Sequence, residues 1–114
     1  MESAKAVSKF IRVPPRKARL AADLIRGLTV DEASLQLVNC SMKSGLLLKK
    51  TLDSAVANAE LNLDARRDVL CVVEVRVDVG PTLKRAKPRS KGSRVPIMKR
   101  TSHFTVVVGE KVKE

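Results

Sequence analysis

The stretch from Val79 to Gly109 contains no acidic residue, although it carries eight lysine and arginine side chains. In the whole chain 23 basic residues exceed 12 acidic ones, which gives a formal net charge of +11. Charges of one sign repel each other unless an anion is nearby, so this stretch predicts a polyanionic partner. Its cations are Lys84, Arg85, Lys87, Arg89, Lys91, Arg94, Lys99 and Arg100.

Alternating apolar residues flank the basic segment on both sides, a pattern typical of half-buried β-strands. The upstream strand is predicted to present one apolar face, formed by Cys71, Val73, Val75, Val77 and Val79. The downstream strand, from Met98 onward, is predicted to bury Phe104, Val106 and Val108. A third strand is predicted at residues 7–13.

The connection between these strands, residues 79–97, is too long for an ordinary hairpin turn of about 2 to 5 residues. Its few apolar residues cannot form a core of their own. The segment is either a disordered loop or a ribbon whose two strands continue outward to a tip near residues 88–92. A bare two-stranded ribbon is marginal in water, so the second alternative requires a polyanion along both sides.

Three helices are predicted before the strands. The first follows Pro14 and stops at Gly27, and the second begins at a capping box from Thr29 to Glu32 and runs to about residue 38. The third is predicted to have Ser41 as its N-cap. The predicted buried stripes are Ala18, Ala21, Ala22 and Ile25 in the first helix, and Leu48, Leu52, Ala55, Val56 and Ala59 in the third.

A smaller basic cluster at the start of the first helix consists of Arg12, Arg16, Lys17 and Arg19. A helix N-terminus already carries partial positive charge, so these cations are costly for the isolated protein but well placed for phosphate. Arginine adds bidentate hydrogen bonds to phosphate. A nucleic-acid contact is favoured over a plain solvated face here, whereas Lys49 and Lys50 are interpreted as a solvated face.

Composition excludes two classes of site. Phe10 and Phe104 are the only aromatic residues, and modules that stack single-stranded bases need several rings on one surface. Cys40 and Cys71 are far apart in a chain with one histidine, so neither a tetrahedral zinc site nor a disulfide framework is expected. Both cysteines are interpreted as free thiols, and no metal or cofactor is predicted.

No catalytic site and no membrane span are predicted either. His103 has no matching nucleophile or carboxylate in its region, and is interpreted as a strand residue that hydrogen-bonds locally or touches phosphate. No apolar run approaches the roughly 20 residues of a membrane-spanning helix, and no signal-peptide pattern is present. The expectation is a soluble intracellular protein that is not an enzyme.

The segment VGPTLKRAKPRSKGSRVPIMKRTSHFTVVV, residues 79–108, closely resembles the signature of the bacterial large-subunit ribosomal proteins numbered twenty-two. That signature consists of three ordered blocks, G-P-(S/T)-x-K-R, P-R-x-K-G and K-R-T-S-H-(I/F)-T-V-V-V. Upstream, PRKARLAADLIRG at 15–27 and KKTLDSAVANAELN at 49–62 resemble the first and third helices of the family. The resemblance covers nearly the whole chain.

The resemblance implies an α+β fold, with three helices packed on a small three-stranded antiparallel sheet and a long protruding β-hairpin. Residues 1–114 would form one domain, with 1–78 plus 101–114 as the globular body. Residues 79–100 would form the basic hairpin, with its tip near 87–94. It further implies a cytoplasmic, non-enzymatic constituent of the large ribosomal subunit that binds 23S rRNA, supports assembly and lines the nascent-peptide tunnel. Implied partners are large-subunit rRNA, neighbouring ribosomal proteins and the nascent polypeptide, with no homo-oligomer.

The positions that match the family's motifs, together with the charge pattern, predict the site residues. The predicted rRNA contacts of the hairpin are Lys84, Arg85, Lys87, Arg89, Lys91, Arg94, Lys99, Arg100, Thr101, Ser102 and His103, and those of the body are Arg12, Arg16, Lys17 and Arg19. The predicted tunnel tip is Pro88, Lys91, Gly92, Ser93 and Arg94. Where the family often has Arg-Ala after Lys-Gly, this chain has Ser93-Arg94, and a shift of one residue in a strand moves a side chain to the opposite face.

Two other functional classes stay open on the residues alone. A free-standing basic nucleic-acid-binding protein or RNA chaperone outside the ribosome would share the charge, but it should show a recognition helix or a symmetric dimer surface, and neither is predicted. A small enzyme would need a convergent group of acid, base or nucleophile, against which the acid-free segment argues.

Overall fold

The computed structural model describes residues 3–88, 92 and 94–110, and for 87, 88 and 94–96 the backbone only. Its helices are α1 (Pro15–Ile25), α2 (Val30–Asn39) and α3 (Lys43–Asn62), followed by a 3-10 turn at Arg67–Val69. Its strands are β1 (Ser3–Ile11), β2 (Leu70–Val79), β3 (Leu83–Pro88), β4 (Arg94–Lys99) and β5 (Ser102–Glu110). The three helices and the antiparallel sheet β1-β5-β2, with β3 and β4 as a second sheet, confirm the predicted α+β class.

Local sequence signals account for two of the three helix starts. Pro15 occupies the first turn of α1, where its missing N–H costs nothing. The Thr29 hydroxyl accepts a hydrogen bond from the Glu32 amide at 3.3 Å, which is one of the two bonds of the predicted capping box. The prediction that Ser41 caps α3 is wrong, because the helix begins one residue later, after Met42. Met42 packs against the core and so sets the helix start by burial, without a side-chain cap.

The core lies between the helices and one face of the sheet. β5 is the central strand, and its predicted core residues Phe104, Val106 and Val108 are fully buried. The predicted helical stripes are also buried: Ala18, Ala21, Ala22 and Ile25 in α1, and Leu48, Leu52, Ala55, Val56 and Ala59 in α3. These stripes therefore face the sheet, and the cationic residues of α1 are left on the outer surface.

The predicted apolar face of β2 is wrong in part. Val73 is 48% exposed and Val79 is 68% exposed, whereas Val75 and Val77 are buried as predicted. Against β5, Val72 pairs with Val108 but Glu74 pairs with Val107, so Val73 is the extra residue of a β-bulge. A bulge places two residues opposite one and reverses the alternation on one side of it. The residues buried before the bulge are consequently Leu70 and Val72.

The first and last predicted strands also differ from the structure in their bounds. β1 begins four residues earlier than predicted and ends at Ile11, although Val13 beyond it is buried. The strand predicted from Met98 onward is interrupted, with β4 ending at Lys99 and β5 beginning at Ser102. Thr101 lies in the interruption and is 4% exposed, because its hydroxyl turns inward to the backbone.

β3 and β4 form an antiparallel ribbon, here called the arm (residues 83–88 and 94–99). The register runs from Leu83 opposite Lys99 to Pro88 opposite Arg94, so the ribbon alternative is the one found. Among the side chains that the structure describes, neither strand contributes a residue to the core cluster. The molecule measures 65 by 25 by 21 Å. The described side chains of the arm are therefore not what holds it to the body.

Candidate nucleic-acid interface

The described cations of the arm lie on both of its faces. Lys84 and Arg85 are neighbours in β3 and point to opposite sides, since side chains alternate along a strand. Lys99 lies opposite Leu83 and shares the face of Arg85. All three are exposed. An anionic partner can consequently contact the arm from either side.

Part of the predicted tip lies outside the described residues. Arg89, Lys91 and Ser93 are not described, and for Lys87, Pro88 and Arg94 only the backbone is. Gly92 has a φ of +73°, in the left-handed region that favours glycine. The tunnel-tip assignment and the effect of the Ser93-Arg94 shift therefore stay predictions.

The cations at the start of α1 meet the base of the arm in one open cavity of about 330 Å³. We call this the arm-base cavity. Its cationic lining is Arg16, Lys17, Arg19 and Arg100, completed by Pro14, Pro15, Val79 and Thr82. Arg100 of the hairpin cluster, more than 80 residues away in sequence, thus shares one surface with the cluster at the start of α1. Four cations around a concave space at a helix N-terminus form an arrangement suited to phosphate oxygens.

Arg19 has a structural contact besides its place in this cavity. Its guanidinium donates to the Val77 carbonyl at 3.2 and 3.3 Å, and Arg26 donates to the Val75 carbonyl at 2.9 Å. β2 is an edge strand, and unpaired edge carbonyls invite pairing with another chain. The two arginines, one within α1 and one directly after its end, therefore cover that edge. Sequence reasoning missed Arg26, and no local pattern indicated its contact with the Val75 carbonyl.

Three residues predicted to contact rRNA hold the base of the arm together. The Thr101 hydroxyl donates to the Pro81 carbonyl and the fully buried Ser102 hydroxyl donates to the Val13 carbonyl, both at 2.6 Å. His103 accepts a hydrogen bond from the Phe10 amide at its Nδ1, at 3.1 Å, which is the predicted local bond. RNA contact by the two hydroxyls stays a prediction, and their burial does not support it.

Five carboxylates of the described residues form ion pairs, all with cations outside the arm and the arm-base cavity. The ion pairs there are Arg26–Asp23, Lys49–Asp53 (3.0 Å), Arg66–Asp68 (2.7 Å), Arg67–Asp31 (3.1 Å) and Arg76–Glu74 (3.3 Å). Within the described ranges, none of them includes a cation of the arm or of the arm-base cavity. The positive charge of this surface is therefore not neutralised by the protein's own described acids.

The described part of the chain also bears on the predicted free thiols and on the metal site and membrane span that were not predicted. Cys40 and Cys71 are both free and half-buried, and the Cys71 thiol donates to the Gly109 carbonyl at 3.4 Å. Over 3–88, 92 and 94–110, no three His, Cys, Asp or Glu residues are grouped as a metal site would require. No helix of that part is long and apolar enough to cross a bilayer.

The chain has a small α+β body and a cationic two-stranded arm, and the arm is continuous with a cation-lined cavity. These features are typical of an architectural protein that binds a polyanion. The family model of Ribosomal protein L22p/L17e matches residues 6–109, and the chain belongs to that family. The resemblance found in the three sequence blocks is thereby confirmed.

Curated relatives agree over almost their full length. Large ribosomal subunit protein uL22 of Protochlamydia amoebophila (strain UWE25) is 72% identical over 108 residues, covering 95% of this chain and 97% of that protein. The proteins of the same name from Chlamydia muridarum and Chlamydia abortus are 61% and 62% identical over 107 residues. These two matches cover 94% of this chain and 96% of each relative.

Proposed function

We propose that this protein is a structural constituent of the large ribosomal subunit, located in the cytoplasm within the ribosome. It binds large-subunit (23S) rRNA and supports subunit assembly. Family membership and the printed name of the relatives support this role. The body, 1–78 plus 101–114, docks through the start of α1, and the hairpin, 79–100, enters between rRNA segments.

The arm carries this proposal. It has exposed cations on both faces and, among its described side chains, none in the core, and a two-stranded ribbon alone is marginal in water. Lysine and arginine placed on phosphates release condensed counterions, which gives a large and salt-sensitive binding free energy. RNA on both sides would therefore supply the stability that the arm lacks.

The finer parts of the proposal concern partners. The hairpin tip, near 87–94, lines the nascent-peptide tunnel and contacts the nascent polypeptide, and neighbouring ribosomal proteins contact the body. The protein acts as a monomer within the subunit, without catalysis and without a cofactor. The resemblance of the three hairpin blocks to the family's signature supports the tunnel placement.

Sucrose-gradient sedimentation of cell lysate in magnesium tests the role. We expect the tagged full-length chain to cofractionate with large subunits and to stay there after a high-salt wash. The variant Lys84→Gln with Arg85→Gln should be released at lower salt, because two phosphate contacts are lost. The matched control, Lys49→Gln with Lys50→Gln, removes two cations of α3 outside the surface and should behave as wild type.

Recovery of the wild-type chain only in the soluble fraction would refute the ribosomal role. That result, combined with binding to bulk RNA, would favour the free-standing RNA-binding alternative. Equal release of the arm and control variants would instead show that the arm cations do not contact rRNA.

A further inference from the structure

One free edge of the three-stranded sheet is formed by β2, and a backbone segment covers the beginning of that edge. The Val72 amide donates to the Leu28 carbonyl at 2.8 Å, next to an antiparallel bridge between Thr29 and Cys71. The connection between α1 and α2 thus acts there as a short neighbouring strand. Beyond Val72, no backbone segment of the described residues pairs with this edge.

In the middle of the β2 edge, arginine side chains replace the missing strand. Every second residue of an edge strand points its backbone groups away from the sheet, and in this part of β2 these are Val75 and Val77. Arg26 donates to the Val75 carbonyl at 2.9 Å. Arg19 donates to the Val77 carbonyl through two nitrogens, at 3.2 and 3.3 Å. Both outward carbonyls are therefore occupied by charged donors.

A guanidinium group donates hydrogen bonds but cannot accept them. The outward amides of Val75 and Val77 consequently gain no partner from the two arginines, and only the acceptor half of this edge is blocked. Arg26 lies directly after α1 and also pairs with Asp23, which holds its guanidinium beside the edge. The arrangement prevents a strand from pairing without completing the ladder itself.

The outer face of β2 carries charges that make the strand complementary to a second copy of itself. Val75 and Val77 are buried on the helix side, so Glu74, Arg76 and Asp78 lie exposed on the opposite face. If two β2 strands paired antiparallel with Val75 or Val77 on the two-fold axis, each Arg76 would lie directly opposite a carboxylate of the other copy. Opposite charges in this position stabilise a strand pair.

The other free edge, formed by β1, lacks this complementarity. With Val7 on a two-fold axis, Lys5 of one copy would lie opposite Lys9 of the other, and like charges directly opposite each other are destabilising. Asn58 donates to the Lys5 carbonyl at 2.9 Å, and no arginine of the described residues bonds to a β1 carbonyl. The edge that charge favours for self-pairing is thus the edge that two arginines cover.

We propose that Arg19 and Arg26 keep the free chain monomeric, because they occupy the two carbonyls through which β2 would pair with β2 of a second copy. The net charge of +11 repels other copies at long range, but salt at about 0.15 M screens exposed charges beyond about 8 Å. A contact at the edge itself is therefore needed. This protection acts before the chain enters the subunit, and it goes beyond the proposed function, which requires a monomer without explaining what maintains it.

Sedimentation velocity of the full chain, in salt at about 0.15 M, tests the proposal without RNA. We expect wild type to be monomeric. Arg19→Met with Arg26→Met keeps much of the apolar stems and removes the donors, so the dissociation constant of a dimer should fall by at least about tenfold, the effect of one hydrogen bond to a charged group. The matched control, Arg12→Met with Arg85→Met, removes the same charge from exposed arginines of the β1–α1 connection and the arm, and should stay monomeric.

Charge reversal on the outer face distinguishes edge pairing from unspecific aggregation. Arg76→Glu, added to Arg19→Met with Arg26→Met, places like charges opposite each other in both registers and should abolish the dimer. Further addition of Glu74→Arg and Asp78→Arg makes the charges complementary again and should restore it. Association that is insensitive to these changes would overturn the proposal.

Hydrogen exchange locates the contact in the dimer. The outward amides of Val75 and Val77 should exchange rapidly in wild type and become protected in the dimeric variant. Protection at β1 amides instead would contradict pairing through β2.

Cooperative urea unfolding shows which variants are folded. If Arg19→Met with Arg26→Met does not fold, Arg26→Met alone provides the same test, because this exposed side chain lies beyond the last residue of α1. A folded variant that stays monomeric would overturn the proposal, and so would a wild type that is already dimeric.

Discussion

The two phenylalanines have opposite environments. Phe104 is fully buried in the centre of β5, whereas Phe10 is 62% exposed and meets His103 edge to face with ring centroids 5.1 Å apart. Phe104→Ala should lower the free energy of unfolding by about 3–5 kcal/mol, because it leaves a cavity in the core. Phe10→Ala, the matched control, should cost less than about 1.5 kcal/mol, the value of an aromatic contact.

Urea denaturation of the two alanine variants measures both changes. Similar losses for Phe10 and Phe104 would contradict the assignment of Phe104 as the centre of the core. The midpoint should move for Phe104→Ala at an unchanged slope, since the surface exposed on unfolding stays nearly the same.

The exposure of the cations was predictable from the sequence, whereas the hydrogen-bond partners of the hydroxyls were not. A lysine such as Lys84 in a segment without acids has few alternatives to solvent or an anion. Thr101 and Ser102 can donate equally to phosphate or to a backbone carbonyl, and only the fold brings Pro81 and Val13 within 2.6 Å of them. The burial of Ser44 was likewise not predictable from the sequence, because serine is common in exposed first turns.

At the scale of elements, the bulge in β2 leads to a paired prediction. Val73→Thr should change the free energy of unfolding by no more than about 0.5 kcal/mol, because Val73 is half-exposed at the bulge. Val75→Thr should cost about 1–3 kcal/mol, because it buries a hydroxyl in an apolar environment. Strict alternation would place both valines on the same face.

Chemical denaturation of the two threonine variants distinguishes the bulged strand from a regular one. Comparable destabilisation at positions 73 and 75 would be the result expected of strict alternation, and would contradict the bulge. Threonine nearly matches valine in shape, so neither change confounds the comparison with a cavity.

The helices and β5 were predicted well because their signals are local. The apolar stripe of α1 and the capping box of α2 act over three to seven residues and need no knowledge of the rest of the chain. The start of α3 and the break at Thr101 depend on distant contacts. The partly buried Met42 side chain packs against the core, and Thr101 bonds to Pro81 across the base of the arm.

At the scale of the molecule, the arm and the body should differ in hydrogen exchange. In the free protein we expect amides of 83–88 and 94–99 to exchange much faster than those of β5, because no described side chain of the arm lies in the core. Addition of a large-subunit rRNA fragment should slow the arm amides strongly and those of β5 little. Exchange of the arm as slow as that of β5 in the free protein would contradict its dependence on RNA.

The cationic surface is a property of the whole molecule. The basic start of α1 and the base of the arm were each visible in the sequence as separate clusters. Their union in one cavity requires α1 to lie along the β2 edge, where Arg19 reaches Val77. A second cavity, lined by Arg12, Lys17 and Lys43 among others, needs α3 to begin beside the same turn. No local sequence pattern encodes the packing of α1 along the β2 edge or the position of the start of α3.

By itself, the sequence determined the class of partner, the helices, the core of β5 and, through three motif blocks, the family. Charge, periodicity and motif order are carried by neighbouring residues and survive without a fold. The tertiary structure decided which face of β2 is buried, which hydroxyls are bonded within the body and which cations share a cavity. These depend on packing between segments far apart in the chain, where a one-residue bulge or a single buried contact changes which side chain faces the core.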